Sequence, residues 1–475
     1  MRFCGFIIID MKDKTHSLGA RRWTAIILIG LFGQIAWAIE NNYINLWVYS
    51  QSHNASHITW MTMASAVVAT LTTFFIGALS DKLGKRKIFI ALGYSIWGVT
   101  VFLFGVMSLA NMSGMAGGDL TKGILLVGVM NVVVDCLMTF FGSSANDAAF
   151  NAYVTDETNE RNRPLVESIL SVMPLLSMAL MLGVGIILGI PGTQGDTPND
   201  VWANSVAKPW LIFFLIFGVA TTLVGVASFF LLPKDHIEPN RDDAYFKHMV
   251  KGFFPKTVKA NPLLYIALLG FMLFNIGVDS FMPYIMVYMQ NLPFMGNNGM
   301  DFMLALGIIF GVATLLVLLI GAFLNRIGKM KVLIPAVVMM FLGALGLFLF
   351  DSAFAGSVIA GIFLIGGYLI GTASLGAEIR DLTPENDVGA FQSVRMVFVV
   401  MIPMIVGSNI SLFAFQTPEV LDPSTGAVQK SPDKWMFVVT MVACALTIVP
   451  IVWLLIAKKK KNVLAEVEST QDKVE

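Results

Sequence analysis

Asp135 stands roughly 18 Å along an apolar run, at the helical rise of about 1.5 Å per residue, which is near the middle of a bilayer. An ionisable side chain at that depth is costly and marks an ion or substrate pathway by default. It belongs to a polar stripe of Asn131, Asp135, Thr139 and Ser143, followed by Asn146 and Asp147. A spacing of four holds one helix face, so the stripe is expected to line a water-filled cavity; the alternative is a hydrogen-bond network between packed helices. A second cluster sets Gln34, Glu40, Asn41, Asn42 and Asn45 among Trp37, Tyr43 and Trp47. Gln34, Asn41 and Asn45 share a face, with Glu40 about 100° round from Asn41. Amides match hydroxyl groups and aromatic faces pack on the C–H side of a sugar ring. Gln34, Trp37, Glu40, Asn41, Asn45 and Asn131 are therefore candidate substrate contacts, with interfacial placement an alternative for Asn45 and Trp47. A third cluster holds Asn275, Asp279, Ser280, Pro283 and Tyr284. Pro283 removes a backbone donor and should kink its helix; Asp279, one turn before it, suits a gate or an ion-binding carboxylate, and Tyr284 joins the substrate set. Asp135 with Glu40 or Asp279 forms the expected cation-coupling group.

The elements that must position these residues are membrane-spanning helices. Of 475 residues, 56% are hydrophobic and only 13% charged, about half the charge of an ordinary soluble domain. A spanning helix needs about 20 mostly apolar residues, and such segments fall near 23–49, 58–80, 88–110, 123–150, 165–190, 209–232, 263–290, 302–324, 332–351, 353–376, 391–414 and 435–457. The ninth and tenth are divided only by Asp351-Ser352. Cys4, Cys136 and Cys444 have no metal or redox spacing and read as free thiols. The five histidines fall outside the apolar segments, against an intramembrane histidine relay. The opening apolar run, Cys4 to Ile9, is too short for a signal peptide; no cleavable signal is expected, and residues 1–10 read as a floppy tail or an upstream start before Met11.

The basic residues alternate. With a cytoplasmic N-terminus, 27 of the 31 Lys and Arg residues fall on the inner side, leaving Lys122, Lys208, Lys430 and Lys434 outside. The positive-inside rule then puts both termini in the cytoplasm of a multi-pass cell-membrane protein. The chain divides into a cytoplasmic tail (1–22), a six-helix bundle (23–232), a charged linker (233–262), a second bundle (263–457) and a short tail (458–475). The expected fold is all-α, twelve transmembrane helices in two pseudo-symmetric six-helix bundles.

The two bundles repeat each other. Gly77-Ala-Leu-Ser-Asp-Lys-Leu-Gly-Lys-Arg-Lys87 after the second segment matches Gly321-Ala-Phe-Leu-Asn-Arg-Ile-Gly-Lys-Met-Lys331 after the eighth, sharing two glycines and three basic positions. Ala152 to Glu160 parallels Ala377 to Glu385, with Ala, Asp, Thr and Glu in register. Duplicated bundles can rock about a central site and open it to each side in turn.

The Gly77, Asp81, Gly84 and basic-residue pattern between the second and third segments resembles the signature of the major facilitator superfamily, over residues 21 to 457. The resemblance implies that Asp81 lies near the start of the eleventh segment and helps latch the halves when the cytoplasmic side is closed, with Arg395 an added partner; the second copy has Asn325 there, a weaker latch. Gly77, Asp81, Gly84, Arg86, Asp156, Glu160, Arg161, Arg163, Asp381, Glu385 and Arg395 form the expected cytoplasmic gate. Asn146 to Asn151 before Asp156 is most similar to the sugar and glycoside cation symporters. The second segment, however, has no carboxylate, so a melibiose-type sodium site does not carry over. The Gly-Pro mark of drug antiporters is also lacking.

No Lys or Arg lies deep in a segment, Arg395 being only a few residues in. An anionic substrate would want such a cation, so a neutral or cationic solute is expected, with the carboxylates binding H⁺ or Na⁺. There is no nucleotide loop or metal motif. A secondary transporter of a sugar or glycoside by cation symport is the leading expectation; a proton-driven exporter of drugs or metabolites, and then a lipid flippase, are the alternatives. No enzyme activity, cofactor, metal or nucleic-acid partner is expected. The partners are a small-molecule substrate, a coupling cation and the bilayer, and the unit is a monomer.

Overall fold

The computed structural model describes residues 18–158, 163–190, 200–235, 250–292, 300–384, 388–421 and 428–471. Among these, twelve helices are long and apolar enough to span a membrane: α1 Ala20–Ser52, α2 Ala55–Ser80, α3 Lys87–Val106, α4 Leu120–Glu157, α5 Ile169–Leu188, α6 Ala207–Leu231, α7 Pro262–Gln290, α8 Asp301–Ile320, α9 Met330–Leu349, α10 Phe354–Leu382, α11 Phe391–Ala414 and α12 Met436–Lys460. α9 and α10 are separate helices, divided where Asp351-Ser352 predicted. α1, α4 and α10 run several residues beyond the expected bounds.

Both bundles bury small residues where helices meet. α3 packs along α6, and a Cβ at Gly98 would sit 2.4 Å from the Gly218 carbonyl oxygen. Without a hydrophobic drive between helices in lipid, this close backbone approach is what holds such pairs together. α9 packs along α10 and α7 along α12. The duplicated loops also share backbone form: Gly84 has φ 62° and Gly328 φ 96°, a region that favours glycine.

The first and last helices end on one side of the molecule, called here the terminus side. There Arg22 pairs with Glu157 at 2.7 Å, Arg86 with Asp156 at 3.2 Å, and Lys458 with the buried Glu378. On the far side the halves are joined. Tyr49 Oη meets Ser431 Oγ at 2.5 Å, Asn54 Nδ2 donates to the Val428 carbonyl at 2.9 Å, and Ala55 N donates to the Lys430 carbonyl at 2.8 Å. A short antiparallel ladder of Val420–Leu421 with Val428–Gln429 carries these contacts between α11 and α12. Part of the linker forms a helix, Pro255–Ala260, with Phe253 and Phe254 exposed before it.

Among the described residues three spanning helices contain wider π-turns, at Ile39–Ile44 in α1, Ser143–Phe150 in α4 and Val397–Met401 in α11. α7 is interrupted instead at Met282 to Tyr284, around Pro283.

Candidate functional site

All three π-turns border one space. A cavity of about 400 Å³ lies between the halves, lined by Trp37, Glu40 and Asn41 of α1, Ser65, Ala69 and Thr73 of α2, Asp147 and Asn151 of α4, and Gln392, Arg395, Met396, Val399, Val400 and Met404 of α11. That is within the range of small-molecule sites. Asn41, Asn151, Gln392 and Arg395 are exposed despite lying in spanning helices, so the cavity is open; since the far side is sealed, it opens toward the terminus side.

π-turns are common at functional sites because they re-aim side chains and loosen backbone pairing. Here the asparagines of α1 satisfy the loosened carbonyls. Asn41 Nδ2 donates to the Trp37 carbonyl at 2.8 Å, Asn42 Nδ2 to Ala38 at 3.0 Å, and Asn45 Nδ2 to Asn41 at 3.0 Å. The Trp37 ring is braced edge-on against Trp97, with centroids 5.1 Å apart.

Behind Glu40 and Asn41 the cavity continues into a smaller one of about 40 Å³, lined also by Asn45, Thr62, Asp135, Asp279 and Pro283. It has room for roughly two or three waters or an ion. Glu40 Oε1 accepts from Ser65 Oγ at 2.9 Å and from Thr139 Oγ1 at 3.0 Å, and these two hydroxyls lie 2.7 Å apart. Asp135 packs against Ser65 within electrostatic reach of Glu40. Glu40 Oε2 and Asp135 Oδ1 are buried without a hydrogen-bond partner. Asp279 faces the same small cavity from the other half. Two buried carboxylates this close, with Ser65 between them, cannot cheaply both stay charged and unaccompanied; the arrangement suits exchange of a proton or a small cation. Among the described residues no three His, Cys, Asp or Glu side chains cluster to hold a metal.

Other expected site residues fall elsewhere. Tyr284 is fully buried on the far side, its hydroxyl 2.6 Å from Thr59 Oγ1 across the halves and 3.0 Å from the Ser408 carbonyl, and it lines neither cavity. Asn131 lies away from both cavities, its amide donating to Val127 at 2.8 Å and to Met107, past the end of α3, at 3.4 Å. The reason is helical drift: a spacing of four gains about 40° per step in a helix of 3.6 residues per turn. Asn131 and Asp135 therefore diverge, while the wider turn at Ser143–Phe150 takes the drift back and returns Asp147 to the cavity. Gln34 is half-buried and lines neither cavity.

Arg395 stands a few residues into α11, as its sequence position implied, and the large cavity reaches up to it, so one guanidinium borders the site. His57 is likewise inside a spanning helix, not outside: α2 begins at Ala55, and the buried imidazole packs on Gly128 of α4.

Of the expected gate, Arg86 is buried and ties the loop after α2 within its own half, donating to Asp156 Oδ2 at 3.2 Å and Ser80 Oγ at 2.5 Å, while its backbone N–H bonds Asp235 Oδ1 at 3.0 Å. Gly77 borders a side cavity, and Asp381 is exposed near the end of α10. Glu160, Arg161 and Glu385, and the side chains of Asp81 and Arg163, lie outside the described residues. Sequence reasoning gave no role to Ser65, Asp147, Asn151 or Gln392. Asp147 was visible in the polar stripe, and Asn151 in the Asn146 to Asn151 run.

Residues 23–408 match the family model of the Major Facilitator Superfamily. The chain belongs to that superfamily. Its members are transporters and not enzymes, and the twelve-helix architecture agrees. An uncharacterized MFS-type transporter, YqjV of Bacillus subtilis (strain 168), is 25% identical over 280 residues, 58% of each chain, so the chain spans less than two thirds of that relative's length. Among solved structures, the nucleoside transporter NupG in a mutant form is similar at TM-score 0.64 and 12% identity, over 91% of this chain and 98% of that one. A D-xylose–proton symporter is similar at TM-score 0.64 and 12% identity, over 90% and 97%. At this identity the likeness is one of fold.

Proposed function

We propose that this transporter is a secondary active symporter, in which bundles 23–232 and 263–457 rock about the central cavity and carry a sugar or sugar-bearing solute with H⁺ or Na⁺. The observation that carries this reading is that one continuous space joins two chemistries. Asn41, Asn151 and Gln392 offer amides that both donate and accept, beside the Trp37 ring. Directly behind them sit Glu40 and Asp135 on either side of Ser65, with room for an ion. Binding of the cation there fixes Glu40, which borders both spaces, and so ties occupancy of one to the shape of the other.

The nucleoside transporter and the xylose–proton symporter of the same fold favour a sugar-bearing cargo and proton drive. The basic residues favour a cytoplasmic terminus side in the cell membrane, hence a cavity open to the cytoplasm. On this reading Asp81, Arg86, Asp156 and Arg395, with the neighbouring loop charges, close the cytoplasmic side when the halves rock over.

Uptake into proteoliposomes, against a panel of sugars and nucleosides with pH and sodium gradients imposed separately, tests the reading. Asp135→Asn is expected to keep substrate binding and lose the response to one gradient. Unchanged gradient dependence in that variant would refute the coupling role, and no uptake of any member of the panel would refute the cargo class.

A further inference from the structure

The central cavity has a side branch of about 300 Å³, bounded by α2, α4, α11 and Phe253 of the linker. Thr73, Asp147, Gln392 and Met396 line both spaces, so the two are continuous. Unlike the central cavity, the branch is walled chiefly by apolar side chains. It also reaches the outer surface of the bundle. α2 presents an outward stripe of Trp60, Val67, Leu71, Phe75 and Leu79, and Leu71 and Phe75, about half exposed on that stripe, are themselves part of the branch wall. A residue can face outward and line the branch only if the branch opens there. α2 lies against α11 along 397–414, and toward Val388–Met396 the two helices part, which is where the branch emerges. In a membrane that opening faces acyl chains, on the side where Phe253 is exposed.

We infer that this opening between α2 and α11 receives the apolar portion of an amphipathic substrate from the bilayer, while its polar head sits against Asp147 and Gln392 in the central cavity. The cargo class is then an alkyl or acyl glycoside, with a head of the kind the amides and Trp37 suit and a chain of several methylenes in the branch. The inference rests on reading the central cavity as the sugar site. It departs from a free-sugar carrier in predicting that affinity depends on chain length. A free sugar leaves the branch to water or lipid; each methylene of an attached chain leaves water for the branch, worth about fourfold in affinity referred to ligand in solution.

The test uses the full chain in nanodiscs, titrated calorimetrically with methyl, butyl, hexyl and octyl β-D-glucoside, with partition into protein-free nanodiscs subtracted. Kd is expected to fall about fourfold per added methylene until the branch is full. Val397→Trp, which narrows the opening, is expected to flatten the series. Phe74→Ala, which widens it, is expected to extend the fall to longer chains. A Kd independent of chain length, or the same slope in parent and both variants, overturns the inference while methyl glucoside binding upholds the sugar site. If no glucoside binds, the sugar reading fails. The opening is then judged by the added fluorescence of Val397→Trp over its parent: quenching by acyl-brominated phosphatidylcholine supports an opening that lipid occupies, and no quenching overturns it.

Discussion

The far-side seal gives a prediction with a calculable size. Tyr284 Oη lies 2.6 Å from Thr59 Oγ1 and Tyr49 Oη 2.5 Å from Ser431 Oγ; each bond joins the two halves and must break for the far side to open. The variants Tyr284→Phe and Tyr49→Phe remove one hydroxyl each without changing ring packing. Neither strands a partner badly, because Thr59 Oγ1 also donates to the Ala55 carbonyl at 3.1 Å, the Ser408 carbonyl that Tyr284 also meets lies within the helix Ile402–Ala414, and Ser431 lies in a half-exposed loop. The cost is then the net worth of each bond, about 0.5–1.5 kcal/mol. The two sites share no partner and should add, so the double variant shifts the equilibrium toward the far-side-open state by about 1–3 kcal/mol, or roughly 5–150-fold. Thr62 lines the small cavity beneath the seal and is 7% exposed. A Thr62→Cys reporter, in a background with the native cysteines replaced, can be alkylated by an impermeant reagent applied from the far side of sealed vesicles. Where opening is faster than alkylation, the rate follows the open population. A rate that rises less than about twofold in the double variant, with melting unchanged, refutes the claim that these hydroxyls hold the seal.

Ser65→Ala removes the donor to Glu40 Oε1 and the contact with Thr139. A hydrogen bond donated to a carboxylate is worth about 1.5–3 kcal/mol and stabilises its charged form; without it Glu40 holds a proton more tightly, so under proton drive the H⁺ concentration needed for half-maximal uptake should fall about tenfold or more, while substrate affinity at saturating H⁺ moves little. Arg395→Gln should leave binding of a neutral sugar within a fewfold of the parent, slow its uptake because the cytoplasmic gate loses a charge, and abolish any binding of an anionic analogue; surviving anion binding would show that the guanidinium is not its partner. Gly98→Val sets a side chain against the Gly218 carbonyl and Thr222, and overpacking of this kind costs about 1–3 kcal/mol. Its thermal midpoint in detergent should fall by several degrees, and an unchanged midpoint would mean that α3 and α6 separate more easily than their packing implies.

What could be read from the sequence divides along a physical line. Helix number, the α9–α10 break and the duplicated loops follow from hydropathy, charge and spacing, which are properties of single segments. Glu40, Asp135 and Asp279 were legible because a carboxylate in an apolar segment has few reasons to be there. Ser65 was not, since a serine in a membrane helix can satisfy itself on its own backbone; only the approach of α1, α2 and α4 makes it the shared donor. Tyr284 and Trp37 present the same kind of aromatic signal, yet one seals the far side and the other lines the cavity. That difference depends on where α7 meets α2, which spacing along one chain cannot express. Arg395 stood near a helix end in the sequence and was counted with the loops; in the structure the open cavity reaches up to it.

The π-turns explain why face arithmetic failed at the place where it mattered. With 3.6 residues per turn, Glu40 and Asn41 point about 100° apart, and Asp147 drifts well round from Asp135. In the structure Glu40 and Asn41 line one cavity and Asp147 is returned to it, because Ile39–Ile44 and Ser143–Phe150 turn less per residue. A π-turn also leaves the backbone pairing easier to rearrange, and here the Asn41, Asn42 and Asn45 amides take up the carbonyls it loosens. α10, the counterpart of α4 in the second half, is an unbroken helix. The buried carboxylate pair and two of the three π-turns therefore sit in the first half, which brings the ion chemistry and the adjustable backbone to the same residues. The second half supplies the opposing wall through Gln392, Arg395 and a single π-turn. If the halves rock as units, the movement that closes the cavity presses that wall against Asn41 and Asp147, the residues whose positions depend on these turns, so the cavity's shape and the state of the Glu40–Asp135 pair change together.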